Sequence, residues 1–228
     1  MFNHDFVIPP VMTKVTAEDG KRFYTTPEGK SYESVTTFLS RSFKKPGLVK
    51  WRKKVGEKEA NRIRDNAQVR GNFIHDTIEH YLRNEQIPWD DNTNPNFKSL
   101  FIKMKPILNR MNNIRLLEAA IYSDELELAG SPDYCGDFDN EVAIVDFKTN
   151  NWADKKKIDA LDYFIQCAAY SKMMKERFNI IPVKAVIIIA SPNAPCPVVF
   201  EESMSICERI FDRFRADPEA FQRKVAQG

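Results

Sequence analysis

Two acids and a lysine are spaced in a way that could do chemistry. Asp133 closes the run Ala129-Gly130-Ser131-Pro132-Asp133, and Asp146 stands thirteen positions later inside Val145-Asp146-Phe147-Lys148-Thr149. In a strand alternate side chains share a face, so Asp146 and Lys148 point one way and Phe147 the other. A hairpin running from Asp133 to Asp146 would bring the two carboxylates together. Carboxylates this close repel, and burying them is unfavourable unless a cation neutralises them or one takes up a proton. A divalent metal does this directly. Hard oxygen ligands suit Mg2+ or Mn2+, with positions left for waters and a phosphate oxygen. A lysine alongside can orient and help deprotonate an attacking water, or stabilise charge in the transition state.

A D-x-K tripeptide is common, and an Asp–Lys pair on one strand face is ordinarily a surface ion pair worth little. The context of this one is different. VAIVDFKT places the charges at the end of an apolar strand, where an exposed pair would be preceded by alternating polar residues. The charges therefore emerge from a core strand into a cleft.

The elements that must position these residues can be read from periodicity. Residues 1–33, with short alternating stretches such as KRFYTT, suggest a small hairpin or an arm. From Val35 to about Asn84 apolar residues recur at helical spacing, with Pro46-Gly47 as the natural break. Ile87 to Asn96 is loop by composition, and a helix from Phe97 to about Met111 follows, with Pro106 expected to disturb it. LLEAAIYS, ELELAGSPDY and EVAIVDFKT then read as a three-strand meander. Leu161 to Phe178 is an amphipathic helix, VKAVIIIAS is a strand buried on both faces, and a last helix runs from Met204 through Phe214. The order predicts an α/β domain in which a mixed sheet is flanked by helices. Residues 1–33 form the arm and 34–228 one domain, largely helical over 34–114 and carrying the sheet and motifs over 115–228.

Composition sets the electrostatic frame. The chain has 228 residues, with 34 Lys+Arg against 32 Asp+Glu, and a formal net charge of +2. Global attraction to a polyanion is therefore weak, and only a local basic face could supply it. Arg41, Lys44, Lys45, Lys50, Arg52, Lys53 and Lys54, interleaved with Phe43 and Trp51, form one candidate, and Lys155, Lys156 and Lys157 another. Each run also fits an ordinary solvated helix surface. Cys135, Cys167, Cys196 and Cys207 have no metal-ligand spacing and read as reduced thiols. MFNHDFVIPP lacks a basic stretch followed by an apolar one, and no segment approaches the roughly 20 apolar residues of a membrane span. A cytoplasmic protein, in a bacterial or phage-infected cell, is expected.

A second set of residues carries a family resemblance. Gly71-Asn72-Phe73-Ile74-His75 with Glu79 is similar to the G-x-x-x-H-x-x-x-E helix of RecB-type nucleases of the PD-(D/E)XK group. Asp133, Asp146-Phe147-Lys148 and Gln166-Cys167-Ala168-Ala169-Tyr170 resemble the remaining motifs of that group in order. The likeness is greatest to the mitochondrial genome maintenance exonucleases and their phage relatives, and extends from SVTTFLS at Ser34 to VKAVIIIAS.

The resemblance implies a restriction-endonuclease-like core and a DNA exonuclease that acts with Mg2+ or Mn2+ on single-stranded DNA with a free end. By the resemblance His75, Asp133, Asp146 and the backbone carbonyl of Phe147 would bind the metal, and Lys148 would handle the nucleophilic water. Gln166 and Tyr170 would brace the site or contact DNA. Glu118 matches a family acid at the helix-to-strand segment and is counted with the catalytic residues. The cysteines that hold an iron-sulfur cluster in some relatives have no counterpart.

Read without the motif, His75 is a core histidine whose ring N–H goes to Glu79 at i+4. Gln166 and Tyr170 share a helix face, and Gln166 needs a polar partner. Lys50, Trp51 and Lys53 would grip the DNA backbone and bases. A monomer is expected, with replication or recombination proteins as partners. Two alternatives stay open: an endonuclease or RNA-directed nuclease with the same site, and a non-catalytic DNA-binding module.

Overall fold

A computed structural model describes residues 1–43, 46–151 and 156–225. In chain order these form β1 (Thr13–Thr16), β2 (Arg22–Thr25), β3 (Ser31–Ser34), α1 (Val35–Ser42), α2 (Pro46–Val55), α3 (Glu57–Leu82) and α4 (Pro95–Leu108). There follow β4 (Met111–Leu117), β5 (Ile121–Ser123), β6 (Leu128–Gly130), β7 (Tyr134–Phe138) and β8 (Glu141–Thr149). The chain continues with α5 (Leu161–Phe178), β9 (Lys184–Ala190), β10 (Val198–Ser203), α6 (Met204–Ala216) and α7 (Pro218–Val225).

The strands make two mixed sheets flanked by helices, an α/β architecture. The larger has the order β10-β9-β8-β7-β4, with β8 and β9 parallel and the other pairs antiparallel. The smaller has the order β1-β2-β3-β6-β5, with β3 and β6 parallel.

β9 explains why the larger sheet is central. Its branched and small residues are buried on both faces: Ala185, Ile187 and Ile189 join one core cluster, and Val186, Ile188 and Ala190 the other. A strand covered on both sides must have a layer on each side. Phe164, Ile165, Ala168 and Met174 of α5, with Met204, Cys207 and Phe211 of α6, cover the first face. Ile74, Ile78 and Leu82 of α3, with Leu100, Phe101 and Met104 of α4, cover the second. On β8 the alternation divides Ile144, facing α5, from Ala143, Val145 and Phe147, facing α3 and α4. Asp146 and Lys148 therefore emerge on the α5 side.

Several expectations change. The three-strand meander is five strands shared between two sheets, with β4, β7 and β8 adjacent in the larger and β5 and β6 in the smaller. Both three-residue strands are buried at every position, so they show no alternation to read. Residues 1–33 are more than an arm, because β1, β2 and β3 form an antiparallel meander joined to β6. A break unread in the sequence falls at Gly56, whose φ of 85° separates α2 from α3. Pro106 does not interrupt α4, because it sits in the last turn before Leu108, and β4 begins already at Met111. β10 was unexpected because it is a half-buried edge strand, and α7 adds a short amphipathic turn against α6. No helix among the described residues is long and apolar enough to cross a membrane.

The layer under α3 makes a direct prediction. Ile74 is fully buried beside His75, and Ile74→Ala removes methyl groups from a site that cannot collapse freely. The expected loss is about 2–5 kcal/mol, read from urea unfolding; an unchanged midpoint would mean that α3 is not clamped to the sheet.

Candidate functional site

The site begins with the β7–β8 hairpin. Asp139 and Asn140, both at positive φ (51° and 65°), make the two-residue turn between its strands, and Asn and Asp tolerate that conformation better than other side chains. The register pairs Tyr134 with Val145, which brings Asp133 alongside Asp146. Asp133 Oδ2 accepts a hydrogen bond from the Phe147 backbone N–H at 2.7 Å. Both acids are buried, Asp146 to 2% exposure and Asp133 to 8%.

Lys148 shares the face of Asp146. Its Nζ donates to Asp146 Oδ1 at 2.5 Å and lies over the Tyr163 ring at 5.1 Å. Nζ is also 2.5 Å from Oδ2, so the ammonium faces both oxygens of the buried carboxylate.

Glu118 arrives from the other side. Four steps along β4, from Asn112 to Leu116, match two along β7, a bulge that includes Asn113 at φ 45°. Bulges re-aim the end of a strand. Glu118 itself adopts a φ of 49°, and its N–H donates to the Asp133 carbonyl at 3.3 Å. A glutamate in the left-handed region costs of order 1 kcal/mol and persists only where its surroundings enforce it.

His75 completes the group from α3. Its Nδ1 is 2.8 Å from Glu118 Oε1 and 3.7 Å from Asp133 Oδ1, and its Nε2 is 3.1 Å from the Phe147 carbonyl oxygen. The expected partner Glu79 instead pairs with Arg83 at 2.9 Å; the i+4 rule finds a neighbour along the helix but not one brought in by another strand. Arg70, one turn before His75 on the same helix and itself buried, donates to Thr149 Oγ1 at 3.2 Å and Asn151 Oδ1 at 2.7 Å. Those bonds tie α3 to the end of β8.

His75, Glu118 and Asp133 each offer a ligand atom, and these atoms lie within 4.8 Å of one another, so the group could hold a metal ion. The donor set fits such an ion. His75 Nδ1 is the ring nitrogen that faces the two carboxylates, and one imidazole with two carboxylates is a donor set that divalent ions accept. Asp146 is engaged by Lys148, and the group of possible ligand atoms around His75 and Asp133 includes Glu118.

Electrostatics fit the same picture. Burial is the largest influence on His75 and lowers its pKa, but Asp133 and Glu118 outweigh it and hold the imidazole at about 9. A protonated ring donates from both nitrogens, to Glu118 and to the Phe147 carbonyl. Burial pushes Glu118 up, and pushes Asp146 up to about 7 against the opposing pull of Lys148. Burial opposes the charge on Lys148, but Asp146 and Asp133 raise its pKa above that of a free lysine. The ammonium is therefore a fixed donor at neutral pH rather than a free amine.

The site opens into a cleft of about 560 Å³. His75, Glu118, Asp133, Lys148, Gln166 and Tyr170 all line it, so six of the residues singled out in the sequence converge here. Gln166 Nε2 reaches Tyr170 Oη at 3.5 Å, a weak contact, and both side chains are buried. Tyr170 is seated over Gly130, where a Cβ would lie 2.9 Å from its ring and hydroxyl. Lys50, Trp51 and Lys53 lie on α2 and do not line the cleft. Lys44, Lys45 and Lys155 lie outside the described residues. Lys14, Arg22 and Tyr24 line the cleft and were not singled out. The alternation of Arg22 and Tyr24 in KRFYTT was legible, but only the parallel β3–β6 pairing shows which way that hairpin faces. Neither protein-family models nor curated proteins give a match to this chain.

Two outcomes are expected. In EDTA the raised Asp146 keeps its proton in the folded state, so its stabilising contribution is full below the ordinary value of 3.8 and fades as pH rises through about 7. His75 acts in the same direction, its contribution full below 6.5 and lost through about 9. Thermal stability of the metal-free protein therefore falls from pH 5 to 9, and the lower part of that fall disappears in Asp146→Asn; a rise over this interval would refute the assignment. Mn2+ should stabilise more at pH 8 than at pH 6, because its ligands bind deprotonated. Separately, Gly130→Ala should displace Tyr170 and quench or shift tyrosine fluorescence while costing about 1–3 kcal/mol.

Proposed function

We propose that this chain is a metal-dependent exonuclease of the PD-(D/E)XK kind, with a restriction-endonuclease-like core, that hydrolyses phosphodiester bonds of single-stranded DNA from a free end. The observation that carries the reading is that His75, Glu118, Asp133 and Lys148, from four separate segments, line the base of one cleft, with Asp146 buried against Lys148. Three of the five, His75, Glu118 and Asp133, present ligand atoms within 4.8 Å of one another, and a divalent cation would relieve the repulsion between the carboxylates.

When bound, Mg2+ or Mn2+ would neutralise phosphate charge and lower the pKa of a coordinated water. His75, Glu118 and Asp133 would hold it. Lys148, kept as an ammonium by Asp146, donates to the attacking water or to a phosphoryl oxygen and stabilises the charge that grows there. It orients the water, whose proton would pass to one of the neighbouring carboxylates.

The substrate class follows from cleft size and lining. About 560 Å³ lies in the range of small-ligand pockets, roughly 300–1,000 Å³, and such a space takes a segment of one strand more readily than a duplex. The half-buried Phe43 and Tyr163 would supply faces for bases. The free-end requirement comes from the family resemblance, as do the monomeric state, the cytoplasmic setting and a place in replication, repair or recombination.

The test is digestion of end-labelled linear and circular single-stranded DNA with Mg2+ or Mn2+. Linear DNA is lost and circles survive, and Lys148→Ala, Asp146→Ala and Asp133→Asn each lower the rate by at least about 100-fold. Cutting of circles would make the enzyme an endonuclease. Turnover that persists in all three variants would remove the site.

A further inference from the structure

The acids that make the site also make it hostile to the substrate. Asp133, Asp146 and Glu118 crowd the base of the cleft, Asp162 lines its wall, and a phosphate chain entering it meets that charge before any bound cation is reached. The net charge of +2 adds little pull from the molecule as a whole. Lys148 is already engaged by Asp146. Among the described residues the remaining lysines and arginines that line the cleft are Lys14 and Arg22.

Both come from the β1–β2 hairpin, and its register explains why they act together. Lys14 pairs with Tyr24 and Thr16 with Arg22. Directly opposed residues share a face, as do alternate residues along a strand. Lys14, Thr16, Arg22 and Tyr24 therefore form one face, and three of the four line the cleft. β1 is an outer strand, exposed at all four residues. β2 is fixed from below, where the Arg22 backbone N–H donates to Thr37 Oγ1 at 2.9 Å.

The pairing of nearby charges singles out the same two residues. Lys21 is held by Asp19 at 2.6 Å, and Arg41 by Glu33 at 3.0 Å. No ion pair is formed by Lys14 or Arg22 among the described residues. A surface hairpin with Asp19 paired on its turn and, among the described residues, two cations outside any ion pair on its cleft face is arranged to receive an anion.

We infer that the β1–β2 hairpin is the backbone grip of the cleft, with Lys14 and Arg22 taking neighbouring phosphates of a single nucleic-acid strand and Tyr24 closing the floor between them. The inference rests on the nuclease reading for the identity of the strand. It moves the grip from the basic run of α2 to a strand pair adjoining the metal group. The contacts are to phosphate, so they set affinity and register without reading sequence.

Binding tests this without hydrolysis. Anisotropy of a fluorescent oligothymidylate is measured against salt, in EDTA and with Ca2+, for the wild type and Lys14→Gln/Arg22→Gln. Each phosphate contact on a single strand adds about 0.7 to the slope of log K against log salt, so the double variant should lose about 1.4 of slope and bind at least about tenfold more weakly. Lys58→Gln/Lys224→Gln removes equal charge at exposed positions away from the cleft and should leave the slope unchanged. Lys14→Arg/Arg22→Lys should keep it. Lys14 is exposed, so Lys14→Gln alone carries half the effect even if the Arg22 variant folds poorly.

An unchanged slope in the folded double variant overturns the grip. If the wild type digests linear DNA and the double variant keeps its KM and slope, the hairpin inference falls and the nuclease reading stands. If no chain cuts DNA but the slope drops as stated, the grip stands and the nuclease reading falls. A wild type that does not bind the oligonucleotide in either condition sinks both.

Discussion

Three carboxylates held within one small volume are the constraint to which the rest of the molecule answers. Asp133, Asp146 and Glu118 would separate in any loosely packed structure, because mutual repulsion and desolvation act in the same direction. They stay together because the backbone leaves them no alternative. The Phe147 N–H binds Asp133, the Asp133 carbonyl binds the Glu118 N–H, and Lys148 engages Asp146. Asp133 and Glu118 are thus held through backbone groups, and Asp146 by a lysine two residues along the same strand.

That arrangement needs rigid layers on both faces of β8. α5 supplies one wall of the cleft, with Tyr163, Gln166 and Tyr170 set against the acids, and it approaches closely because Gly130 presents no Cβ to Tyr170. α3 supplies the other wall, with Ile74 and Ile78 in the core, Arg70 bonded to the end of β8, and His75 between them at the strand end. The layers that stabilise the fold are therefore the same ones that locate the chemistry. The left-handed backbone at Glu118 is the local penalty of this geometry, and strain of this kind collects at functional sites.

Charge is divided across the cleft as well as concentrated in it. The core sheet brings acids to the base, whereas the smaller sheet brings Lys14 and Arg22 to the rim. Neither sheet by itself lines the cleft with both signs of charge. Their juxtaposition, through the parallel pairing of β3 with β6 and the short chain from Gly130 to Asp133, sets Lys14 and Arg22 in the same cleft as a group that could hold a metal ion. A protein with almost balanced charge can in this way present a strongly polarised channel.

The sequence by itself determined what depends on local pattern. The alternation in VAIVDFKT sets Asp146 and Lys148 on one face, the continuous apolar run VKAVIIIAS makes a strand buried on both sides, and the spacing over Leu161–Phe178 makes a helix with Gln166 and Tyr170 one turn apart. Those features carry their own period and require no knowledge of the partner. Tertiary structure decided everything set by pairing between distant segments. The partner of His75 is Glu118 and not Glu79, the five strands between residues 111 and 149 divide between two sheets, and the hairpin over 13–25 faces the cleft while the basic helix α2 does not line it. The physical reason is that a side chain's direction follows from its own backbone, whereas what it meets is fixed only when other elements have been packed around it.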